Sequence, residues 1–320
     1  MADLDRRLLE EGLATIAFSR ERTGDLWHAH YGAGAIAAYF YVRENRLTSL
    51  AAGSVTAEAK AMLRQHGTRS APTDLPDACL PLVEAEARIA DALEQTIGEL
   101  HWVGHQAIYG AVSLKAIREL EGWGTAEEIE QIAQLIASFE RTIPGRSWVN
   151  TTVKEIRHMR LEEKDGFLEI QNPMQLSQLI LEELGAFHTI YQAESHHDLI
   201  GHMLTYGHAL NILYELGYRE LFDKGIPPFL KMVKALRLSR SIDVITDKTA
   251  TLQSPVDVLP LTRAERSGAL PHELEYWLTD RRCHDWYGGH VFKFPFSFYH
   301  HARNVEAEPE IWENFRYIIA

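Results

Sequence analysis

Cysteine is nearly missing from the sequence: Cys79 and Cys283 are the only two in 320 residues. Two thiols so far apart supply neither a disulfide framework nor a CxxC zinc site. Long apolar runs are missing as well. The most apolar stretch, Ala33 to Val42, ends at Arg43 and Glu44, well short of the roughly 20 residues that span a bilayer. Met1 to Glu11 is charged and holds no apolar signal core. Positive charge is scarce, and the formal net charge is -13. The densest basic stretch, Lys231, Lys234, Arg237 and Arg240, has helical spacing and reads as a solvated face or the cationic end of a helix. Such an acidic chain is not built to hold nucleic acid or an anionic membrane. Also absent are a GxGxxG fingerprint after a strand, a P-loop and a GxSxG elbow, which argues against a Rossmann-type nucleotide site and an α/β-hydrolase. These absences leave a cytoplasmic protein acting on a small-molecule substrate, its oligomeric state open.

What is present is helix. Hydrophobic residues make up 46% of the chain and charged residues 24%, the balance of a globular domain with a large core. Between Asp3 and Phe18, Leu4, Leu8, Leu9, Leu13 and Ile16 share one helical face. Helices are also predicted over Leu26 to Glu44, Thr56 to His66, Leu82 to Gly98, His101 to Glu121, Met174 to Ala193 and His196 to Tyr218. Thr125, with Glu127 and Glu128 after it, opens another that runs to Arg141. Arg219 to Ser239 is helical but is expected to break or kink at Pro227-Pro228. Pro72 to Pro81 is a proline-rich connector. Thr262 to Trp277 is helical in pieces, and the chain ends in two helices separated near Pro309. Lys164-Asp165-Gly166, set between Met159-Arg160-Leu161 and Phe167 to Ile170, predicts a small β-hairpin near residues 158–171. The fold expected is all-α, a single domain over 1–320 with a hairpin excursion at 150–172, laid out as a ring or bundle of helical hairpins in the manner of an α/α toroid.

One pattern recurs. Trp27 to Ala33, His105 to Ala111, His202 to His208 and His290 to Phe296 each open a helix that is apolar nearly all round. Three contain Tyr-Gly, at Tyr31, Tyr109 and Tyr206; the fourth has Phe294-Pro295. In three, a histidine precedes the aromatic by four residues. A helix apolar all round is buried on all sides, so His30, Tyr31, His105, Tyr109, His202, Tyr206, His208 and His290 are candidate groups of an internal pocket. There histidine would serve as acid, base or ligand, and tyrosine as a hydrogen-bond donor to a substrate oxygen. The plainer reading is that aromatics and glycines pack a helical core.

Three local constellations carry further chemistry. His101 and His105, four apart, would share a helix face and bind one metal. Glu194-Ser195-His196-His197 holds an ExxH pair, as does Glu155 to His158, and helical di-iron centres use two such pairs. His101, His105, Glu194 and His197 are therefore the candidate metal ligands. Lys293 among Phe292, Phe294, Phe296 and Phe298 must snorkel, pair or lose its charge, with Asp285 as a possible partner; a lysine of lowered pKa would be a base or Schiff-base amine.

His28 to Arg43, His105 to Glu121 and His290 to Arg303 resemble the questin oxidase-like family, whose members are helical and rich in His-bearing inner helices. The resemblance rests on the His-x3-aromatic helix starts. It implies a cofactor-assisted oxidation of a polycyclic aromatic ketone or quinone, of the ring-opening Baeyer–Villiger type. Three readings follow: an oxidoreductase with a His/Tyr-lined pocket for an aromatic or polyketide-like molecule; a metal-dependent helical oxygenase, di-iron in one form; and a non-catalytic small-molecule binder. The cofactors compatible with them are a transition metal, iron or zinc, or a nicotinamide.

Overall fold

The computed structural model describes residues 5–68, 79–243, 249–279 and 288–320. Most of the proline-rich connector, together with Cys283 and Asp285, lies outside them. The fold is all-α, with a two-stranded sheet and an isolated bridge between Tyr191 and Arg263 among the described residues. No helix among the described residues is long and apolar enough to cross a membrane. The chain divides into two compact units, each assembled from three separate stretches.

Unit 1 comprises residues 1–95, 106–138 and 268–296. Its helices are α1 (Arg7–Ala17), α2 (Ser19–Thr23), α3 (Ala29–Glu44), α4 (Ser49–His66), α5 (Leu82–Thr96), most of α6 (His105–Glu119) and α7 (Ala126–Ala137). Thr125 and Glu128 close the expected capping box at the start of α7. α3 is deeply buried, with Ala29 and an unbroken run from Gly32 to Tyr41 inside. It can be so only because its neighbours come very close. A Cβ on Gly32 would stand 2.3 Å from the Gly12 carbonyl oxygen of α1, so these two backbones touch. Ile16 and Ile36 pack around the contact.

Unit 2 comprises residues 96–105, 139–267 and 297–320. It contains α8 (Val153–His158), α9 (Pro173–Gly185), α10 (Leu199–Glu215) and α11 (Arg219–Arg237). The short α12 (Leu274–Leu278) and the start of α13 (His290–Asn304) belong to unit 1; the end of α13 and α14 (Pro309–Ile318) belong to unit 2. α10 is the central helix of unit 2, buried from Leu199 to Leu213 and packed on α9 and α11. α11 runs uninterrupted through Pro227 and Pro228. Its buried row of Phe222, Ile226, Phe229, Met232, Val233 and Leu236 supplies the packing that offsets the backbone hydrogen bonds two prolines remove.

The small β element is not where the Asp-Gly signal placed it. β1 (Trp148–Val149) pairs antiparallel with β2 (Leu252–Gln253). The 159–171 stretch is irregular, with one 3-10 turn at Glu163–Asp165 and Gly166 in the left-handed region. The turn is present, but the flanking residues find side chains of α11 rather than each other. Lys234 Nζ donates to the Arg160 carbonyl at 2.8 Å and to Asp165 at 2.7 Å. The Arg237 guanidinium lies 4.0 Å from the Phe167 ring centroid and binds Glu183, as does Arg240. The basic stretch of α11 is thus an anchor for this segment as well as a charged helix end.

Candidate functional site

In unit 1, His30 lies in the first turn of α3. Its Nδ1 is 3.0 Å from the Trp27 carbonyl oxygen and 2.7 Å from Tyr109 Oη. A carbonyl only accepts, so the ring proton sits on Nδ1 and the lone pair on Nε2. Tyr109 is fully buried and donates to the Leu26 carbonyl at 3.4 Å. Burial first, and then Asp25, pushes its phenol well above the ordinary range, so it remains a neutral donor. His290, the first residue of α13, meets the His30 ring edge to face with centroids 5.1 Å apart and stacks on Phe294 at 4.7 Å. Gly289 permits this placement: its φ is +83°, and a Cβ there would stand 2.3 Å from the His30 carbonyl oxygen. Lys293 is buried with 3% exposure, so its ammonium does not snorkel to water. Tyr31 is turned elsewhere and stacks on His66 at 4.1 Å.

In unit 2, a strained turn delivers His105. Trp102 and Val103 hold φ of 38° and 51°, costly for residues with side chains, and the Ile143 and Pro144 carbonyls accept from their amides at 2.7 and 2.8 Å. The turn breaks the helix between His101 and His105, so the two do not share a helical face. His105 Nδ1 lies against the Trp102 carbonyl oxygen. His202, in the first turn of α10, has Nδ1 2.8 Å from the Asp198 carbonyl oxygen and 3.3 Å from Asp198 Oδ1. A carbonyl only accepts, so Nδ1 of each ring bears a proton, and the neutral tautomer with that proton presents its lone pair on Nε2. The two rings are 4.7 Å apart between centroids, with ligand nitrogens within 4.8 Å. Both are buried, at 3% and 2% exposure. Asp198 ends a single π turn, Glu194–Asp198, that leads directly into α10, an irregularity frequent at functional sites.

The remaining expected ligands are placed otherwise. Glu194 is held by both arms of Arg146, at 2.8 and 2.6 Å, and by Ser147. His197 Nδ1 lies against the backbone of Ala193. Burial holds the imidazoles of His101 and His197 below the usual pKa. No three of His101, His105, Glu194 and His197 bring ligand atoms within 4.8 Å of one another. Glu155 closes a capping box with Thr152 at the start of α8, and both it and His158 are exposed, so the two ExxH pairs do not face a common centre.

A second polar cluster in unit 2 joins His208, a candidate from the recurrent segment, to residues the sequence did not connect with it. His208 stacks on His300 with centroids 4.0 Å apart and meets Ser297 Oγ at 3.1 Å. Ser177 Oγ is 2.9 Å from His301 Nδ1, while His301 Nε2 donates to the Leu204 carbonyl at 3.0 Å. Asn211 and Asn304 each donate to Ser177 at 3.1 Å. Burial pushes His301 down to about 4. His300-His301 stood in view at the end of an aromatic run, but nothing in the sequence paired them with Ser177 or Asn211. Tyr206, in the same helix, packs edge-on against Phe229, and burial raises its phenol pKa.

No protein family, no characterised protein and no solved structure matches this chain.

Proposed function

We propose that this chain is a metal-dependent helical oxidoreductase in which the Nε2 atoms of His105 and His202 hold one transition-metal ion. The observation that carries the reading is the pair of buried imidazoles with Nδ1 fixed on backbone carbonyls and the ligand nitrogens within 4.8 Å. A second partner on Nδ1 fixes the tautomer, orients the ring and raises the basicity of Nε2, as in the outer shells of metal centres. Asp198 adds a carboxylate behind His202. An imidazole donor set without thiolate suits iron, zinc or copper. The bound ion would supply Lewis acidity or electron transfer; the backbone carbonyls of Trp102 and Asp198 orient the two imidazoles that would hold it. The resemblance to questin oxidase-like proteins supports an aromatic ketone or quinone as the first substrate class to try.

Elemental analysis of protein purified without a histidine tag or chelator tests the reading. About one equivalent of iron, zinc or copper is expected, falling to a trace in His105→Ala and His202→Ala. A wild-type protein free of metal, and unable to take up iron(II), zinc or copper, overturns it. One observation favours a second reading, a metal-free acid–base centre in unit 1. The Tyr109–His30 contact at 2.7 Å leaves His30 Nε2 as a base and the Tyr109 hydroxyl behind it. Turnover of a quinone or aromatic ketone by metal-free protein, lost in His30→Ala, would select it.

A further inference from the structure

The π turn that carries Asp198 is held from outside by a closed set of polar contacts. The Asp257 carboxylate accepts from the Glu194 amide at 3.0 Å and from the Ser195 amide at 2.8 Å. Ser254 Oγ lies 3.0 Å from the same carboxylate and 2.9 Å from Ser147 Oγ. Ser147 in turn binds Glu194, whose carboxylate is engaged by Arg146. Ser147 adjoins β1 and Ser254 adjoins β2, so the two-stranded ladder fixes the distance across which the set closes. The inner side of the turn is different. Its residues Ser195 to Asp198 are buried, and Asp198 addresses His202 through its carbonyl and its carboxylate. A turn that is not α-helical has unsatisfied amides at its start, and a carboxylate there accepts them with charge assistance.

We infer that Asp257 is a positioning residue: by clamping the Glu194 and Ser195 amides it sets the π turn, and through Asp198 it sets the orientation of the His202 imidazole. The inference rests on the proposed metal reading for its functional consequence, but not for the clamp itself. Arg146, Glu194, Ser147 and Ser254 complete the clamp without touching His202. The arrangement also accounts for Glu194, which the ExxH spacing marked as a ligand: it works on the outer face of the turn.

The test uses the full chain and cobalt(II) as the probe, in wild type, Asp257→Ala and the milder Asp257→Asn, which keeps the shape but offers one acceptor oxygen to two amides. Circular dichroism and thermal unfolding establish that each variant is folded. The expected result is a roughly 10- to 100-fold weaker cobalt affinity, the usual consequence of losing an outer-shell partner, and a shifted visible spectrum at cobalt saturation. A purely structural role would leave that saturated spectrum unchanged. Amide hydrogen exchange at Glu194 and Ser195 should accelerate at least tenfold in the same variants. Folded variants with wild-type cobalt affinity, spectrum and exchange overturn the inference. If the wild type takes up no cobalt or other metal, the metal reading falls on its own. The clamp is then decided by exchange: acceleration upholds it and unchanged exchange removes it. Should Asp257→Ala fail to fold, Asp257→Asn and Ser254→Ala are read on the same scale.

Discussion

Two buried helices, α3 of unit 1 and α10 of unit 2, open with the same recurrent segment and solve the same problem in opposite ways. α3 is lined with alanine and glycine, and its neighbours approach until backbones touch, at Gly12–Gly32 and at Gly34–Gly289. α10 carries His202, His208 and Asn211 on its buried surface and engages them with Asp198, Ser177, Ser297 and the imidazoles of α13. One interior is specified by shape and the other by hydrogen bonds. A shape-specified contact is indifferent to pH and intolerant of a single added carbon. A hydrogen-bonded interior that includes buried imidazoles tolerates small changes of volume better but is exposed to protons.

Acid should therefore separate the two units, and this is the largest effect expected. His196 and His301 of unit 2 both have pKa values pushed down to about 4 by burial. In the unfolded chain they titrate near 6.5. Below that pH the unfolded state binds more protons than the folded one, so stability falls as pH drops from 6.5 toward 4 and is fully present above 6.5. Between pH 7 and pH 5 the two together remove on the order of 4 kcal/mol. Urea unfolding across that range measures it. Hydrogen exchange at pH 5 should show residues 199–215 losing protection before residues 29–44. Equal loss in both helices would mean that the polar interior is not the weak one.

Steric change should do the reverse. In Gly32→Ala the new methyl must displace the Gly12 carbonyl, which is backbone and cannot rotate away. Overpacking of this kind costs about 3 kcal/mol, partly offset by the better helix propensity of alanine. Gly53, at an exposed position of α4, has nothing within 4 Å of an added Cβ, so Gly53→Ala should stabilise by up to about 1 kcal/mol. Thermal unfolding of the two variants at one pH checks the pair. A near-neutral Gly32→Ala would mean that α1 and α3 can slide apart, and the contrast with α10 would lose its basis.

The helices of both units were legible because apolar periodicity and caps are local signals; Thr125–Glu128 and the break before Pro309 are read directly from neighbouring residues. Burial of α3 and α10 was legible from their uniform apolarity. Their partners were not. Asp165-Gly166 signalled a turn, and the turn is there, but whether a turn becomes a hairpin depends on what the flanks can pair with. Lys234 and Arg237, about 70 residues later in sequence, offered more than the opposite flank did. HxxxH at His101 and His105 presumed an unbroken helix, and the positive φ of Trp102 and Val103, residues with no sequence preference for it, removed that premise. His202 was found through the repeat, whereas Asp198 and Asp257 were not, because an outer-shell carboxylate has no spacing rule: the first is four residues away and the second sits on a distant loop.

The mildest prediction concerns a polar contact in the shape-specified unit, between Tyr109 and His30. Tyr109 reaches His30 at 2.7 Å, but it also has the Leu26 carbonyl, and His30 also has the Trp27 carbonyl. Each group therefore retains a partner if the other is removed. Tyr109→Phe keeps the ring packed against His30 and deletes a single hydroxyl, so the loss should be about 1 kcal/mol, the net worth of an ordinary hydrogen bond. The tautomer of His30 should survive, because Trp27 rather than Tyr109 obliges Nδ1 to keep its proton. Nitrogen-15 chemical shifts of the His30 ring, in wild type and Tyr109→Phe, read this directly. A proton that moves to Nε2 in the variant would make Tyr109 the residue that sets the tautomer, and unit 1 would then aim its histidine with a side-chain hydrogen bond where unit 2 uses backbone carbonyls.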